Sequence, residues 1–502
     1  MNLDELLKDK KVVAVTCNQW GDTGKGKFVD LIAEKANTII RGTGGDNAGH
    51  TICWRDTYGE QELVTHILPS GILYDSSGKT NIIGSGTVLY PKTLILELRA
   101  LVAKGLTFNN LLVALNAKLI LPQHILLDRL RESQAGIGKI GTTGKGIGPA
   151  YVDHYSRNGL VVNDLLNKDI FVKKLRKNIS DKLQIFNTTD WEVMKNILDS
   201  PHLENGAYYL GHGRINEEAI VEMYMDYGEQ IKDLIYDTDS FTRNNLGGGL
   251  ILLEGAQGAL LSIDHGTYPF VTASDCTVAG LAQGAGLSPA AVDLSLGIVK
   301  MPYMTRVGRG PFPTELGGGD SDRWCNSSEA NRLEEEKLFP EASINDDYEL
   351  FQGVAVRRAG NEYGATTGRP RRTGWLDLPL LRHALKFSGP NTILTKLDVL
   401  NDCDLIKICT AYEYRGPDYY YGKQLLTAGT VINNAILSDE VLANCIPIYQ
   451  EFPGWKKSLE NIEKVYDLPA ELDNIIDFVM KNSGMRPRII SVGPRRDQTI
   501  FC

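Results

Sequence analysis

The stretch Gly21-Asp22-Thr23-Gly24-Lys25-Gly26-Lys27, near the N-terminus, constrains the fold more than any other. It follows a β-branched apolar run at 12–16 and precedes an amphipathic pattern at 28–33. A strand, a glycine loop and a helix in this order are typical of a phosphate site, because backbone N–H groups can turn inward and the helix N-terminus adds a positive dipole end. The spacing fits the Walker A pattern up to its last position, where Phe28 replaces the usual Ser or Thr. A bound metal would need another ligand, and Asp22 is the obvious candidate, either as that ligand or as a base.

The composition of the chain limits its function classes. The sequence has 502 residues and a formal net charge of −9, which argues against wholesale nucleic-acid binding. Its eight cysteines are scattered without a CxxC pair, so neither a zinc site nor a disulfide framework is indicated. Residues 1–10 are polar and charged, unlike a signal peptide, and no apolar run is long enough to span a bilayer. We therefore expect a cytoplasmic protein without nucleic-acid or membrane partners.

Short β-branched runs alternate with helical patterns along the chain. Strands are predicted at 12–17, 38–42, 81–84, 111–115, 250–254, 296–300, 392–396, 405–412 and 488–492, and helices at 28–36, 92–104, 164–176, 216–235, 376–387 and 470–482. This alternation predicts an α/β fold, a single large domain over 1–502 with a central, mostly parallel sheet flanked by helices. In such sheets ligands bind beyond the carboxyl ends of the strands. The acidic stretch 317–350 is predicted to be a solvated surface insert with a short helix at 329–337.

Further glycine-rich loops follow several of these strands. The loop 42–50 closes with His50, which titrates near neutrality and is about as often structural as functional in such a place. The loop 140–151 places threonines and a lysine among glycines, which suits an anion better than a plain tight turn. The loop 365–372 holds three arginines, which either clamp carboxylates or phosphates or form a solvated basic turn.

The tetrapeptide Thr395-Lys396-Leu397-Asp398 follows another predicted strand. A carboxylate at this place can accept hydrogen bonds from both N1–H and N2–H₂ of guanine, a pair of donors that adenine lacks. With a phosphate loop upstream, the tetrapeptide favours GTP over ATP as the bound nucleotide.

Seven motifs, in order along the chain, resemble the adenylosuccinate synthetase family. They are Gln19–Lys27, Asn47–Thr51, Thr142–Tyr151, Glu254–Gly258, Thr305–Leu316, Thr366–Trp375 and Lys396–Asp398. The resemblance runs from about residue 11 to the C-terminus. It implies a ligase of purine biosynthesis that joins IMP and L-aspartate into adenylosuccinate through 6-phosphoryl-IMP, using GTP, with Mg²⁺ beside the phosphates.

The resemblance also implies roles for individual residues. The implied catalytic residues are Asp22, which removes the N1 proton of IMP, His50, Lys25 and Gln257. The implied IMP contacts are Asn47, Ala48, Thr143, Arg157, Gln257, Thr272, Val307 and Arg369. The implied aspartate loop comprises Ala365, Thr366, Thr367, Gly368, Arg369 and Arg371. The implied GTP contacts are Gly21, Asp22, Thr23, Gly24, Lys25, Gly26, Lys27, Gly49, His50, Thr51, Arg371, Lys396, Leu397, Asp398, Ser491, Val492 and Gly493, and the implied metal ligands are Asp22 and Gly49. Arg157 matches an arginine that reaches the neighbouring active site, which implies a homodimer.

Pro370 interrupts the basic run that the family usually has in the aspartate loop, and two further positions depart from the family pattern. Thr23 stands where the family usually has Glu, and His154 stands where it usually has Lys. Because a lone buried charge is unfavourable, we hypothesise that these positions face each other across the site and changed as a pair. The alternative functions are a related ligase for dGMP, whose relatives have a small residue in place of the catalytic Asp, and a GTP-binding regulator without catalysis. The intact Asp22 favours IMP over both alternatives.

Overall fold

The structure, a computed structural model, describes residues 1–56, 59–189, 191–198, 215–364 and 368–502. Three residues of the predicted aspartate loop, Ala365, Thr366 and Thr367, lie outside the described residues. Within the described ranges, no helix is both long and apolar enough to cross a membrane.

The helices and strands are numbered here in chain order. The α-helices are α1 (Leu3–Leu7), α2 (Lys25–Ala33), α3 (Pro91–Ala103), α4 (Pro122–Gln134), α5 (Ile147–Tyr155), α6 (Lys168–Ser180), α7 (Leu183–Thr188), α8 (Trp191–Leu198), α9 (Glu217–Ile231), α10 (Thr238–Asn244), α11 (Val278–Gly284), α12 (Gly318–Cys325), α13 (Arg332–Leu338), α14 (Glu349–Ala359), α15 (Leu378–Ser388), α16 (Asp439–Leu442) and α17 (Ala470–Ser483). The strands are β1 (Val12–Cys17), β2 (Thr38–Arg41), β3 (His50–Asp56), β4 (Gly59–Thr65), β5 (Thr80–Ile83), β6 (Val88–Leu89), β7 (Leu111–Ala114), β8 (Lys118–Leu119), β9 (Ile235–Tyr236), β10 (Ile251–Glu254), β11 (Leu294–Lys300), β12 (Tyr303–Arg306), β13 (Arg372–Asp377), β14 (Asn391–Thr395), β15 (Leu405–Tyr414), β16 (Tyr419–Tyr421), β17 (Gln424–Leu426), β18 (Val431–Ile432), β19 (Cys445–Pro453), β20 (Arg486–Ser491) and β21 (Thr499–Phe501).

A ten-stranded sheet forms the centre of the molecule, in the order β21-β20-β14-β11-β1-β10-β2-β5-β7-β9. Neighbouring strands run parallel except for the edge pair β20 and β21. Strand β1 lies between β10 and β11, with Val13 opposite Leu252 and Leu294. All residues of β1 are buried, as expected for a parallel strand covered on both faces. The predicted α/β class with a mostly parallel central sheet is confirmed.

The predicted elements are all present, with ends displaced by a few residues. Helix α2 begins earlier than predicted, at Lys25 inside the glycine loop, because Gly24 takes the left-handed conformation (φ 80°) just before it. The predicted strand at 405–412 is β15, which belongs to a second, five-stranded sheet with β12, β13, β18 and β19. The apolar pattern of this strand predicts that it is buried, but it does not predict which sheet the strand joins.

The acidic segment 317–350 is more closely packed than its charge suggested. The predicted short helix exists as α13, but one of its acidic residues, Glu335, is completely buried. Glu335 accepts hydrogen bonds from Arg357 Nε (2.9 Å to Oε1) and Trp324 Nε1 (2.8 Å to Oε2). The prediction that the whole segment is solvated is therefore wrong at Glu335. The buried Arg357 guanidinium, in place of water, balances the negative charge of this carboxylate.

Asp377, at the end of β13, is expected to make stability depend on pH. Its carboxylate caps α15 through Leu380 N (3.0 Å) and accepts hydrogen bonds from the Tyr412 hydroxyl (2.6 Å to each oxygen). Burial raises the pKa of Asp377 to about 7. The protonated form therefore stabilises the fold, and this contribution is lost as pH rises through about 7. Between pH 5 and 7.5 we expect the free energy of unfolding to lose ~2.5 kcal/mol from this residue.

Urea unfolding of the wild-type protein and the Asp377→Asn variant at both pH values measures this contribution. The stability difference between the two proteins should shift in favour of the variant as pH rises, because Asn keeps the helix cap without titrating. A difference that is the same at both pH values would contradict the assignment.

Candidate active site

A pocket of about 740 Å³ opens beyond the carboxyl ends of the central strands. The loops that follow β1, β2, β10, β14 and β20 all contribute to its lining. Of the predicted site residues, it brings together Gly21, Asp22, Thr23, Gly24, Lys25, Gly26, Lys27, Asn47, Ala48, Gly49, His50, Thr51, Gln257, Val307, Arg371, Lys396, Asp398, Ser491 and Gly493. This position agrees with the general rule for ligand sites in parallel sheets.

The glycine loop between β1 and α2 is folded tightly against neighbouring backbone. Gly21 and Asp22 both have positive φ (90° and 51°). A Cβ at Gly26 would lie 2.4 Å from the carbonyl oxygen of Thr51, so only glycine fits there. Lys25 Nζ donates to the carbonyl oxygen of Gln257 (2.6 Å). The loop therefore presents the N-terminus of α2 to the pocket, as a phosphate cradle requires.

His50 is held by a carboxylate that lies behind it. Its Nδ1 contacts Glu254 Oε1 at very short range, and Glu254 also accepts hydrogen bonds from Ser70 N (2.7 Å) and Ser70 Oγ (2.6 Å). Burial lowers the pKa of His50, although Glu254 opposes that effect. Although burial opposes it, the attraction of His50 and Arg41 lowers the pKa of Glu254, so this carboxylate is ionised. With Nδ1–H committed to Glu254, Nε2 is the ring nitrogen available to a ligand.

Gln257 and Asn47 lie against each other on the same side of the pocket. Gln257 Nε2 donates to Asn47 Oδ1 (3.2 Å), which also accepts from Gly45 N (3.2 Å). Gln257 has a positive φ of 53° and its buried Oε1 has no hydrogen-bond partner among the described residues. An unsatisfied buried oxygen at the wall of a pocket is a group that a ligand can satisfy.

Asp22 forms an ion pair with Arg371, a basic residue of the predicted aspartate loop. Arg371 Nε lies 2.7 Å from Asp22 Oδ2, and Arg371 Nη1 lies 3.0 Å from Glu362 Oε2. Glu362 is buried and also accepts from Lys300 Nζ (2.6 Å) and the Tyr303 hydroxyl (2.7 Å). Arg371 is thus anchored on Glu362 and balances the charge of the Asp22 carboxylate.

A family model described as adenylosuccinate synthetase matches residues 14–500. The chain belongs to the adenylosuccinate synthetase family. The adenylosuccinate synthetase of Moorella thermoacetica is 41% identical over 484 residues, or 96% of each chain. That of Streptococcus gordonii is 40% identical over 489 residues, or 97% of each chain. Among solved structures, fully ligated adenylosuccinate synthetase from Plasmodium falciparum is 30% identical, with a TM-score of 0.77 over 98% of this chain and 100% of the other.

Membership of the adenylosuccinate synthetase family confirms the predicted enzyme class. The chain is a ligase of purine biosynthesis that joins IMP and L-aspartate at the expense of GTP. IMP as the nucleotide acceptor fits these findings better than the alternative of dGMP.

Several residues that the adenylosuccinate synthetase pattern predicts do not line the pocket of the single chain. They are Thr143, Arg157, Thr272, Gly368, Arg369, Leu397 and Val492. Leu397 and Val492 are buried beside it, whereas Thr143, Arg157, Gly368 and Arg369 are exposed. Their predicted contacts to substrate stay predictions. His154 is likewise exposed and outside the lining, whereas Thr23 is buried within it, so the structure does not place these two positions face to face within one chain.

Lys27, a predicted GTP contact, binds the C-terminal segment of the chain. Its Nζ donates to Ser491 Oγ (2.7 Å), Gly493 O (2.8 Å) and Gln498 O (3.0 Å). Burial lowers the pKa of Lys27 to about 7. The second lysine of the glycine loop therefore ties that loop to the C-terminal segment predicted to contact guanine.

Glu254 and Glu362 are the site residues that sequence reasoning missed. Glu254 lies in a recognised motif, but the spacing of the motif does not reveal that its carboxylate turns toward His50. One signal could have indicated its role. Glu254 is a charged residue at the end of a buried strand, and a buried charge requires polar or charged partners. Glu362 stands just before the basic loop and gave no signal in the sequence.

The oxygen donors around Asp22 fit Mg²⁺. In the described part of the chain, no three His, Cys, Asp or Glu side chains form a group that could hold a metal. Mg²⁺ commonly binds through one or two carboxylates together with substrate phosphates, so the half-buried Asp22 carboxylate in a phosphate cradle suits it. Because Arg371 Nε occupies Oδ2, coordination through that oxygen requires Arg371 to move.

Arg496 is expected to support GTP binding without touching the phosphate loop. Its guanidinium forms two hydrogen bonds with Asp30 on α2 (2.6 Å each) and so fixes the C-terminal loop against that helix. We expect Arg496→Ala to raise KM for GTP by about tenfold with little change in kcat, since a looser loop weakens ground-state binding. Initial rates at varied GTP measure this effect. The neighbouring Arg495→Ala, which loses an exposed pair with Asp497, serves as control and should leave KM within about twofold. Equal effects of the two substitutions would contradict the role of Arg496.

Proposed function

We propose that the pocket carries out the ligation in two steps. Asp22 removes the N1 proton of IMP while the 6-oxygen attacks the γ-phosphate of GTP. The amine of L-aspartate then displaces phosphate from 6-phosphoryl-IMP. The observation that carries this proposal is the convergence of Asp22, His50 and Gln257 on one pocket beside a phosphate cradle.

The groups around the transferring phosphoryl have distinct tasks. Lys25, at the N-terminus of α2, offsets the charge of the phosphates, and His50 Nε2 donates to the phosphoryl group or to the leaving oxygen. With Nδ1–H bound to Glu254, donation from Nε2 requires the charged imidazolium, which Glu254 favours against the lowering of the pKa of His50 by burial. Gln257 and Asn47 hold the purine nucleotide through their amide groups.

Mg²⁺ would be held by the Asp22 carboxylate and the Gly49 carbonyl, with GTP supplying the remaining ligands. When bound, it offsets the negative charge that develops during phosphoryl transfer. Binding of Mg²⁺ at Asp22 Oδ2 would require Arg371 Nε to leave that oxygen, and Arg371 would then be available to the nucleotide while its Nη1 stays paired with Glu362.

The remaining predicted contacts complete the proposal. Lys396 and Asp398 bind the guanine base of GTP. Their loop is connected to the phosphate loop, because Thr395 Oγ1 donates to Thr23 O (3.2 Å). Residues 365–371 close over L-aspartate, with Arg369 at the nucleotide ribose. The protein acts as a homodimer in which Arg157, exposed beside the exposed Tyr155, reaches the neighbouring IMP site. The cytoplasmic location expected from the sequence stays a prediction.

One assay separates the candidate functions. The protein is mixed with GTP, Mg²⁺, L-aspartate and either IMP or dGMP, and phosphate release and the ultraviolet spectrum of the nucleotide are followed. Turnover with IMP alone is expected, because a 2-amino group would crowd a carboxylate placed at N1. Turnover with dGMP but not IMP would establish the alternative ligase, and no turnover with either would favour a GTP-binding regulator.

A further inference from the structure

A network of buried polar side chains lies beneath the C-terminal end of α5, outside the pocket. The Asp153 carboxylate accepts hydrogen bonds from His124 Nε2 (2.7 Å), Asn178 Nδ2 (2.5 Å) and Lys182 Nζ (2.6 Å). His124 Nδ1 accepts from Leu121 N (3.0 Å), which places the ring proton on Nε2. All four side chains of the network are buried. Although burial opposes it, these hydrogen bonds lower the pKa of Asp153 to about 2, and Lys182 lies in salt-bridge contact with this carboxylate.

The turn directly above this network has an unusual residue at its tightest point. Helix α5 ends with hydrogen bonds from Arg157 N to His154 O (3.0 Å) and from Asn158 N to Asp153 O (2.8 Å). This is the Schellman arrangement, in which the left-handed position is usually glycine. Here the position is Arg157, with φ 63°. Residues that carry a Cβ are disfavoured in the left-handed conformation. The exposed Arg157 is therefore held in a backbone conformation that it does not prefer by itself.

The residue that follows Arg157 is fixed from two further sides. Asn178 Nδ2 donates to the carbonyl oxygen of Asn158 (2.8 Å), and Asn158 Nδ2 donates to Asp181 Oδ2 (2.6 Å). Asn178 therefore connects the Asp153 carboxylate directly to the backbone of the turn. Buried ion pairs are weak evidence of stabilisation by themselves, but they do restrict the chain to one arrangement.

We propose that Asp153, acting with Lys182 and Asn178, is a positioning residue for Arg157. The inference rests on the proposed function, in which Arg157 of one chain completes the IMP site of the other. The network holds the turn in the strained conformation that projects Arg157 out of its own chain, so that the entropy of ordering the backbone of this turn is not lost again on each binding event. Asp153 thus affects catalysis in the neighbouring active site and not in its own.

Hybrid dimers test this inference. In the Asp153→Asn homodimer both sites receive a poorly held Arg157, and KM for IMP should rise about tenfold or more. This variant is co-expressed with Asp22→Ala, which has a dead site but an intact Arg157 turn, and differently tagged copies are used to isolate the hybrid. The hybrid contains one complete site, and it should show wild-type KM for IMP and about half of the wild-type kcat per dimer.

The substitutions Arg157→Leu and Asp75→Asn are the controls. A hybrid of Arg157→Leu with Asp22→Ala should regain activity in the same way, because only the trans contribution of the first chain is lost. Asp75 is a buried carboxylate elsewhere in the fold that accepts from Thr107 Oγ1 (2.7 Å) and Asn110 N (2.7 Å). Asp75→Asn should change the melting temperature but leave KM for IMP of the homodimer unchanged.

The possible outcomes are distinct. Recovery with both Asp153→Asn and Arg157→Leu supports the inference. Recovery with Arg157→Leu alone overturns the role of Asp153 and leaves the proposed dimeric site intact. No recovery with Arg157→Leu overturns the trans role of Arg157 itself, and the inference falls with it. If Asp153→Asn does not fold, Asn178→Ala makes the same test, because it breaks the bond to the turn and leaves the Asp153–Lys182 pair in place.

Discussion

Replacing Asp22 with asparagine is expected to abolish the ligation, with kcat at least about 10³-fold lower. Asparagine keeps the size of the side chain but can neither remove the N1 proton of IMP nor offer a charged oxygen to Mg²⁺. It also loses the ion pair with Arg371, which lies 2.7 Å away. Because deprotonation and metal binding both depend on this carboxylate, no other residue in the pocket is expected to compensate.

Steady-state assays with IMP, L-aspartate and GTP measure this loss, and the melting temperature of the variant shows that it is still folded. The matched control is Asp293→Asn, the same change at the opposite end of β1. Asp293 Oδ2 accepts from Lys11 N (2.7 Å) and Val12 N (3.0 Å) far from the pocket, so stability should fall while kcat is kept. Substantial turnover by Asp22→Asn would mean that another group is the base.

The second large effect is expected at the pair of His50 and Glu254. His50→Asn should lower kcat by about 10²- to 10³-fold, because it removes the donor to the transferring phosphoryl group. Glu254→Gln should lower kcat by about 10- to 100-fold, since the buried imidazolium loses the carboxylate that stabilises it. Glutamine has the same shape and can still bond to Ser70, so the fold should persist.

The double variant decides whether the two residues act as one unit. If Glu254 works only through His50, then adding Glu254→Gln to His50→Asn should cost nothing further in kcat. Multiplicative effects of the two substitutions would show that Glu254 acts independently of His50. Melting temperatures of all three variants separate losses of activity from losses of folded protein.

The central sheet was predictable because its strands are buried on both faces. The runs at 12–17 and 38–42 are rich in β-branched residues, and every residue of β1 and β2 is buried, as expected for parallel strands covered on both faces. The glycine loops that follow these strands then located the pocket, since they must lie at one edge of the sheet.

The contacts within the pocket were less accessible to sequence reasoning. Three contacts join segments that are distant in the sequence. They are the ion pair of Arg371 with Asp22, the hydrogen bond of Lys27 to the C-terminal loop and the ion pair of Arg357 with Glu335. Local pattern identifies a charged side chain but not its partner, because the partner is set by the way the loops pack. The network around Asp153 is of the same kind, as it joins α4, α5 and α6 through side chains that carry no motif.

The transfer of the 6-oxygen of IMP tests the mechanism most directly. IMP labelled with ¹⁸O at the 6-position is incubated with GTP, Mg²⁺ and L-aspartate, and the released phosphate is analysed by mass spectrometry. If the pocket forms 6-phosphoryl-IMP, each phosphate released with adenylosuccinate carries one ¹⁸O atom from the purine. Unlabelled phosphate accompanying stoichiometric product would contradict the phosphorylated intermediate and, with it, the roles of Asp22 and His50 in forming it.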